Sequence, residues 1–319
     1  MSILVTGGAG YIGSHIVRAF GLAGLESVVI DDLSSGHRDF VPADVPLVEA
    51  NLLDTATVRH TMDEHGVEAV VHLAGYKYAG VSVERPLHTY EQNVQATVSL
   101  LSAMEATGVD AIVFSSSAAT YGTPDVDLVT EDTPTAPESP YGETKLIGEW
   151  LMRDADRAFG LRHTSLRYFN VVGSAVPELF DTSPYNLFPL VIRALREGRT
   201  PRINGTDYPT ADGTCERDYV HVADLADAHV VATQALLSGR DLERVYNLGC
   251  GTGVSVRQIM DAASEVSGVD FEPEIGPRRA GDPARIVASG ELAARDLDWE
   301  VRYSVRDMFE SAWNAGPRG

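Results

Sequence analysis

The chain has 319 residues, 44% of them hydrophobic, which suits one large or two modest domains with a sizeable core. Its formal net charge of −21 disfavours nucleic acid or an acidic membrane as partner, so basic residues near a small anionic ligand would be local exceptions. Two cysteines, Cys215 and Cys250, exclude a disulfide framework and have no metal-ligand spacing, so no metal is expected.

The start "MSILVTGGAG" has neither a basic n-region nor a long apolar stretch, and no run nears the roughly 20 apolar residues of a membrane span. A reducing, cytoplasmic setting is the expectation. Along the first third, "SILVT" (2–6), "SVVID" (27–31), "VPLVE" (45–49), "AVVHLA" (69–74) and "AIVFSS" (111–116) read as buried strands. The segments between them carry apolar residues at helical spacing, which predicts βαβ units and a doubly wound parallel sheet of the Rossmann kind. Ligands on such sheets sit beyond the carboxyl ends of the strands.

The first strand runs into "GGAGYIG", with Gly7, Gly10 and Gly13 at three-residue spacing and a helix beginning near Tyr11. Glycines there allow a tight turn and close approach of a pyrophosphate, and a helix N-terminus offers free N–H groups to it. The second strand ends in Asp31, whose carboxylate can accept from adenosine ribose hydroxyls and would repel a 2′-phosphate. With no arginine in "DDLSSG" (31–36), the pattern predicts NAD rather than NADP.

"FSSSAATYG" (114–122) places serines at the carboxyl edge of the fifth strand, and "SPYGETK" (139–145) opens an amphipathic helix. Tyr141 and Lys145 are one helical turn apart, a spacing that by itself marks only a shared helix face. Beside a serine-bearing sheet edge and a dinucleotide it becomes a proton-transfer constellation. A free phenol ionises near 10, and a neighbouring ammonium and an oxidised nicotinamide would both favour the phenolate. Ser117 is expected to hydrogen-bond the same substrate oxygen, and Lys145 to grip the nicotinamide ribose as well.

"LRHTSLRYFN" (161–170) reads as a further strand, and "HVADLADAHVVATQALL" followed by "VYNLG" as a helix and strand returning to the sheet. Beyond residue 171 the chain turns rich in Pro, Gly, Asp and Thr, as ligand loops often are. The expected division is a dinucleotide-binding domain over 1–170 with a return segment near 218–250, and a smaller interleaved α/β substrate lobe over 171–319.

Gly7-x-x-Gly10-x-x-Gly13 with Tyr141-x-x-x-Lys145 resembles the extended short-chain dehydrogenase/reductase family. Within it, "HLAGYK" (72–77), "LRYFNVVG" (166–173), "DYPTADGTCERDYVHVADLADAH" (207–229), "YNLGCG" (246–251) and "PRRAGD" (277–282) are similar to the sugar-nucleotide 4-epimerases over nearly the whole chain. The resemblance implies an NAD-dependent isomerase that interconverts UDP-glucose and UDP-galactose through a 4-keto sugar, with Tyr141 as base, and a homodimer. Related 4,6-dehydratases carry an acidic pair where this chain has Ala118 and Ala119, so dehydration lacks its acid.

The resemblance also implies roles for single residues. Gly7, Gly10, Tyr11, Ile12 and Gly13 would hold the pyrophosphate, and Asp31, Asp32, Leu33, Ser34, Ser35 and Gly36 the adenosine. Asn51 and Leu52 would flank adenine, although "EANL" (49–52) has Asn51 where the family usually has an acid; its amide oxygen could still accept from the adenine amino group. Leu73, Ala74, Gly75 and Lys77 would run under the cofactor, with Asn93, Ser115 and Phe169 at the nicotinamide half. Substrate contacts would come from Lys77, Ser117, Asn170, Asn186 and Leu187, with Arg217 and Arg279 on the diphosphate and Asp282 on the nucleotide ribose. In "PRING", Arg202, Ile203 and Asn204 would meet the base, Asn204 standing where an aromatic residue usually stacks on uracil. Ile286 falls near the position that sets room for an N-acetyl group. An epimerase of another sugar nucleotide (an N-acetylhexosamine, pentose or uronate) and a non-catalytic dinucleotide sensor remain the alternatives.

Overall fold

The computed structural model describes residues 2–279 and 282–317. Strand β1 (Ser2–Thr6) is buried along its whole length, because a strand covered on both faces has no solvent side. It leads through the glycine loop into α1 (Tyr11–Leu22), followed by β2 (Glu26–Asp31), β3 (Leu47–Glu49), α2 (Thr55–Glu64) and β4 (Val67–His72). Helices α3 (Ala79–Glu84), α4 (Pro86–Tyr90) and α5 (Ala96–Thr107) precede β5 (Ala111–Ser115). Between α4 and α5 the helix widens into a π turn over Glu91–Gln95, a feature often found at functional sites.

Helix α6 (Pro140–Phe159) starts where its sequence says it should. Ser139 accepts the Gly142 N–H at 3.2 Å as N-cap, Pro140 needs no donor in the first turn, and Gly160 ends the helix with φ +78°. The expected strand over 161–170 is two strands, β6 (Arg162–Tyr168) and β7 (Asn170–Val172), parted at Phe169, whose ring lines the cleft described below.

After α7 (Leu187–Arg196), β8 (Arg202–Asn204), β9 (Glu216–Arg217) and β10 (Tyr219–His221), α8 (Val222–Leu237) and β11 (Val245–Leu248) bring the chain back. The main sheet has the order β11-β6-β5-β4-β1-β2-β3, all neighbours parallel. The winding reverses between β1 and β4, and that reversal opens a crevice at the carboxyl edge. Helix α8 covers one sheet face with α1, packing Leu225 and Leu236 near Ile16 and Phe20; α2, α5 and α6 cover the other through Met62, Leu100, Met104 and Met152. A third apolar cluster, with Phe188, Val191, Ile259 and Phe309, holds α7 against α9 (Val256–Ser267) and α11 (Val305–Asn314).

Candidate active site

A cleft of about 950 Å³ runs along the carboxyl edge of the sheet, from the glycine loop past α6 to the loops after β7. At one end the site is made largely of backbone. A methyl group on Gly13 would lie 2.2 Å from the Gly7 carbonyl oxygen, so only glycine lets α1 begin this close to β1. Helix α1 has no side-chain cap, and Tyr11, Ile12 and Gly13 of its first turn line the cleft with Gly7 and Gly10. Uncapped N–H groups facing a cleft suit an anionic pyrophosphate.

Asp31 closes this end. Its Oδ2 accepts the Ala9 N–H at 3.0 Å and its Oδ1 the Leu33 N–H at 2.9 Å, which braces the loop and holds Leu33 at φ +56°. Burial raises the Asp31 carboxyl above its ordinary value, against the pull of those two bonds. Each oxygen keeps a lone pair for a ribose hydroxyl. Asp32, Ser34, Ser35, Gly36, Asn51 and Leu52 complete this lining, while Leu33 lies outside it. The Asn51 amide is oriented by its neighbours: its oxygen accepts the Leu53 N–H at 3.0 Å and keeps a second lone pair, and its NH2 group donates to Asp32 at 2.8 Å and to Gln92 at 3.1 Å. These features fit an adenosine dinucleotide.

In the middle, Leu73, Ala74, Gly75 and Lys77 form one wall. Asn93 is behind that wall. It takes the Tyr76 N–H at 2.6 Å and donates to the Tyr76 carbonyl at 3.0 Å and to Thr144 at 2.8 Å, tying the loop to α6. Its expected place beside the nicotinamide is therefore one layer removed, because the π turn points its amide into the loop.

Tyr141 and Lys145 face the cleft, with the Ser117 hydroxyl close enough to the Tyr141 phenol to favour its ionised form. Gly142 permits this approach: a methyl group there would lie 2.5 Å from the Ala119 carbonyl oxygen, forcing α6 away from the turn that carries Ser117. The Lys145 ammonium donates to the Ser115 carbonyl at 2.8 Å and lies over the rings of Phe114, at 5.1 Å, and Tyr141, at 5.9 Å. The Ser115 side chain points the other way, to His229 Nε2 at 2.9 Å, so its backbone rather than its hydroxyl serves the site.

The electrostatics depart from the expected picture. Burial pulls Lys145 down to about 8, opposed by Glu149. The same burial pushes Tyr141 above its ordinary value, with the Ser117 hydrogen bond as the opposing influence. Burial thus draws both groups toward their neutral forms in the polypeptide alone. Glu149 is itself held by Arg167 at 2.8 and 2.6 Å and by Ser116 at 2.5 Å, a buried network behind the lysine.

The far end is made of side chains on loops. Asn170, Asn186, Leu187, Arg202, Asn204, Arg217, Arg279 and Asp282 line it with Phe169. Arg217 pairs with Asp282 at 3.3 Å. Strand alternation sends Ile203 the other way, fully buried in the third core, so its side chain meets no ligand. Ile286 is also outside the lining, packed with Tyr121, Val129 and Ala288 beside Phe169. Residues 280 and 281 of "PRRAGD" lie outside the described residues.

Some cleft residues were not foreseen: Tyr78, Tyr168, Asp181, Tyr185 and Cys215. A tyrosine after "LAGYK" and another before "NLF" were the available signal, although aromatic residues in loops are seldom diagnostic. Among the described residues no His, Cys, Asp or Glu group could hold a metal, and no helix is long and apolar enough to cross a membrane.

Fold and cleft together define a dinucleotide-binding α/β enzyme with a serine, tyrosine and lysine gathered at the sheet's carboxyl edge. Residues 3–249 match the model of the NAD dependent epimerase/dehydratase family, and the chain belongs to that family. It is 44% identical to a UDP-glucose 4-epimerase of Corynebacterium glutamicum, over 98% of this chain and 95% of that protein. A crystal structure of UDP-glucose 4-epimerase from Brucella ovis in complex with NAD superposes with a TM-score of 0.94 at 39% identity, covering 98% of this chain and 97% of that one. One from Bifidobacterium longum, in complex with NAD+ and UDP, gives 0.89 at 34%, with the same coverage.

Proposed function

We infer that the chain is an NAD-dependent 4-epimerase that interconverts UDP-glucose and UDP-galactose. The observation that carries this is Tyr141, beside Ser117 and one turn from Lys145, in the same cleft as the uncapped start of α1. The kinship to UDP-glucose 4-epimerases over nearly the full chain supports the substrate class.

Gly7, Gly10, Tyr11, Ile12 and Gly13 would hold the cofactor's pyrophosphate, Asp31 to Gly36 its adenosine, and Lys77, Lys145 and Phe169 its nicotinamide half. Bound NAD supplies the acceptor and donor of hydride at the sugar's C4. Tyr141 takes the proton of the 4-hydroxyl, eased by Ser117 at the same oxygen, and holds it while the 4-keto sugar turns over. It then returns the proton on the opposite face. Lys145, fixed on the Ser115 carbonyl, keeps positive charge beside the phenol below about pH 8. Arg217 and Arg279 would bind the diphosphate, with Asp282 orienting Arg217 or the nucleotide ribose; Asn170, Asn186, Leu187, Arg202 and Asn204 would contact the rest of the nucleotide sugar.

A second reading keeps the chemistry and changes the sugar. A structural relative is a UDP-Glc/GlcNAc 4-epimerase from Campylobacter jejuni, and Ile286 stands outside the cleft lining. We also propose the division into a dinucleotide-binding part over 1–170, with the return segment near 218–250, and a substrate lobe over 171–319. Exposed Val83, Leu87, Val98 and Trp150 on α3 to α6 support a homodimer formed through these helices. A cytoplasmic setting fits two unpaired thiols. Incubating the purified protein with UDP-glucose, UDP-galactose and UDP-N-acetylglucosamine, without added NAD, tests the reading. Conversion of UDP-glucose supports it; inactivity on both UDP-hexoses ends it.

A further inference from the structure

Two loops distant in sequence line the cleft and meet there. In the first, the segment 75–78 is pinned by the double hydrogen bond of Asn93 to the Tyr76 backbone. Tyr76 stands edge-on to Tyr78, centroids 6.0 Å apart, and to His88, at 5.2 Å. The second is the segment 180–186. Asp181 accepts the Ser183 N–H at 2.9 Å and the Asn186 amide at 2.7 Å, which folds this loop on itself. Phe180 packs edge-on against Phe40 at 5.3 Å, and Thr182 reaches His37 at 3.4 Å.

The two arms touch through Tyr78 and Tyr185. Their rings are 5.0 Å apart at 72°, an edge-to-face pair. Both tyrosines line the cleft. Tyr185 is nevertheless 55% exposed, so the core does not hold it in place. An exposed aromatic ring that lines the cleft and meets a second ring from another loop is placed to cover a bound ligand. Phe180 and Thr182 rest on Phe40 and His37, just after the Asp31–Gly36 lining, which puts this arm beside the dinucleotide end of the cleft.

We propose that Tyr78 and Tyr185 form a clasp that closes over the bound dinucleotide and slows its release. This rests on the NAD-dependent reading above and deepens it. An epimerase must keep its cofactor while the keto sugar turns over, because release at that point strands the intermediate. The glycine loop and Asp31 hold one side of the dinucleotide; the clasp supplies a second side that has to open before the cofactor can leave.

The test is cofactor retention. Wild-type, Tyr185→Ala, Tyr78→Leu and Tyr185→Phe proteins are purified as NAD-loaded holoproteins, with melting temperature recorded for each. Bound NAD is then followed against time during dialysis. The clasp predicts that Tyr185→Ala and Tyr78→Leu lose NAD about tenfold faster, the scale expected for loss of one aromatic contact. Their activity should decay on dilution and recover when NAD is added back, and Tyr185→Phe, which keeps the ring, should retain cofactor like wild type. Unchanged retention in both Tyr185→Ala and Tyr78→Leu would overturn the clasp, as would equal loss in Tyr185→Phe. If the wild-type protein holds no NAD, the NAD-dependent reading fails and the clasp with it.

Discussion

The two ends of the cleft are built from different materials. The dinucleotide end relies on backbone: a loop in which Gly13 tolerates no methyl group, an uncapped helix start, and a buried carboxylate that braces the loop with two N–H bonds. The far end relies on long side chains, with Arg202 and Arg279 exposed and Arg217 tethered to a single carboxylate. A site made of backbone fails completely when one atom is added. A site made of flexible side chains loses affinity by degrees, and it can be retuned.

Substitutions can break or sharpen that contrast. The largest effect is expected for Gly13→Ala, whose methyl group must displace the Gly7 carbonyl. Bound NAD and turnover should both disappear, whereas Arg202→Ala should leave NAD bound and raise KM; absorbance at purification and steady-state kinetics check the pair. Tyr141→Phe comes next. Turnover should fall about 10²- to 10⁴-fold, the usual range for a general acid–base group, with NAD still bound. Undiminished turnover would remove Tyr141 from the mechanism.

Glu149→Gln addresses the layer behind the site, where the bidentate pair with Arg167 is buried on both sides. Leaving the guanidinium unpaired should cost about 3–5 kcal/mol of stability, read by denaturant unfolding. Exposed Arg38 and Glu49 make the contrasting pair, and Glu49→Gln should cost less than about 1 kcal/mol.

Acid should act through buried histidines more than through the cleft. His15, His221 and His229 are each lowered to about 4 by burial. Between that value and the ordinary 6.5 the unfolded chain binds more protons than the folded one, so stability rises with pH across this window. The melting temperature should therefore drop steadily from pH 6.5 to 4; a flat profile would contradict the burial of these rings. A gain rather than a loss is expected for Asn204→Tyr at the far end, which should tighten UDP binding by about 1–3 kcal/mol if a stacking surface is what that end lacks. Calorimetric titration with UDP decides it.

The same contrast explains what could be read from the sequence. Buried strands, the glycine loop, Asp31 and the serine, tyrosine and lysine were legible because each is a local pattern tied to one backbone geometry. Four features were not. Ile203 follows strand alternation into the core, which a three-residue strand barely announces. The Asn51 amide is turned by Asp32, Gln92 and Leu53, partners up to 41 positions away. The meeting of Tyr78 with Tyr185 depends on two loops whose closeness only the tertiary fold creates. The charge state of Tyr141 was also hidden, since burial is a property of the assembled site.

That charge state gives the most direct test. Phenolate absorbance is titrated in the NAD-loaded protein and in protein stripped of NAD, each as the difference from the same form of Tyr141→Phe. The account predicts that Tyr141 ionises above the free-phenol value of about 10 in the stripped protein and clearly below it when the positive nicotinamide is bound. The same titration in both forms would contradict the claim that the cofactor's charge, acting on a phenol the protein keeps protonated, makes Tyr141 the base.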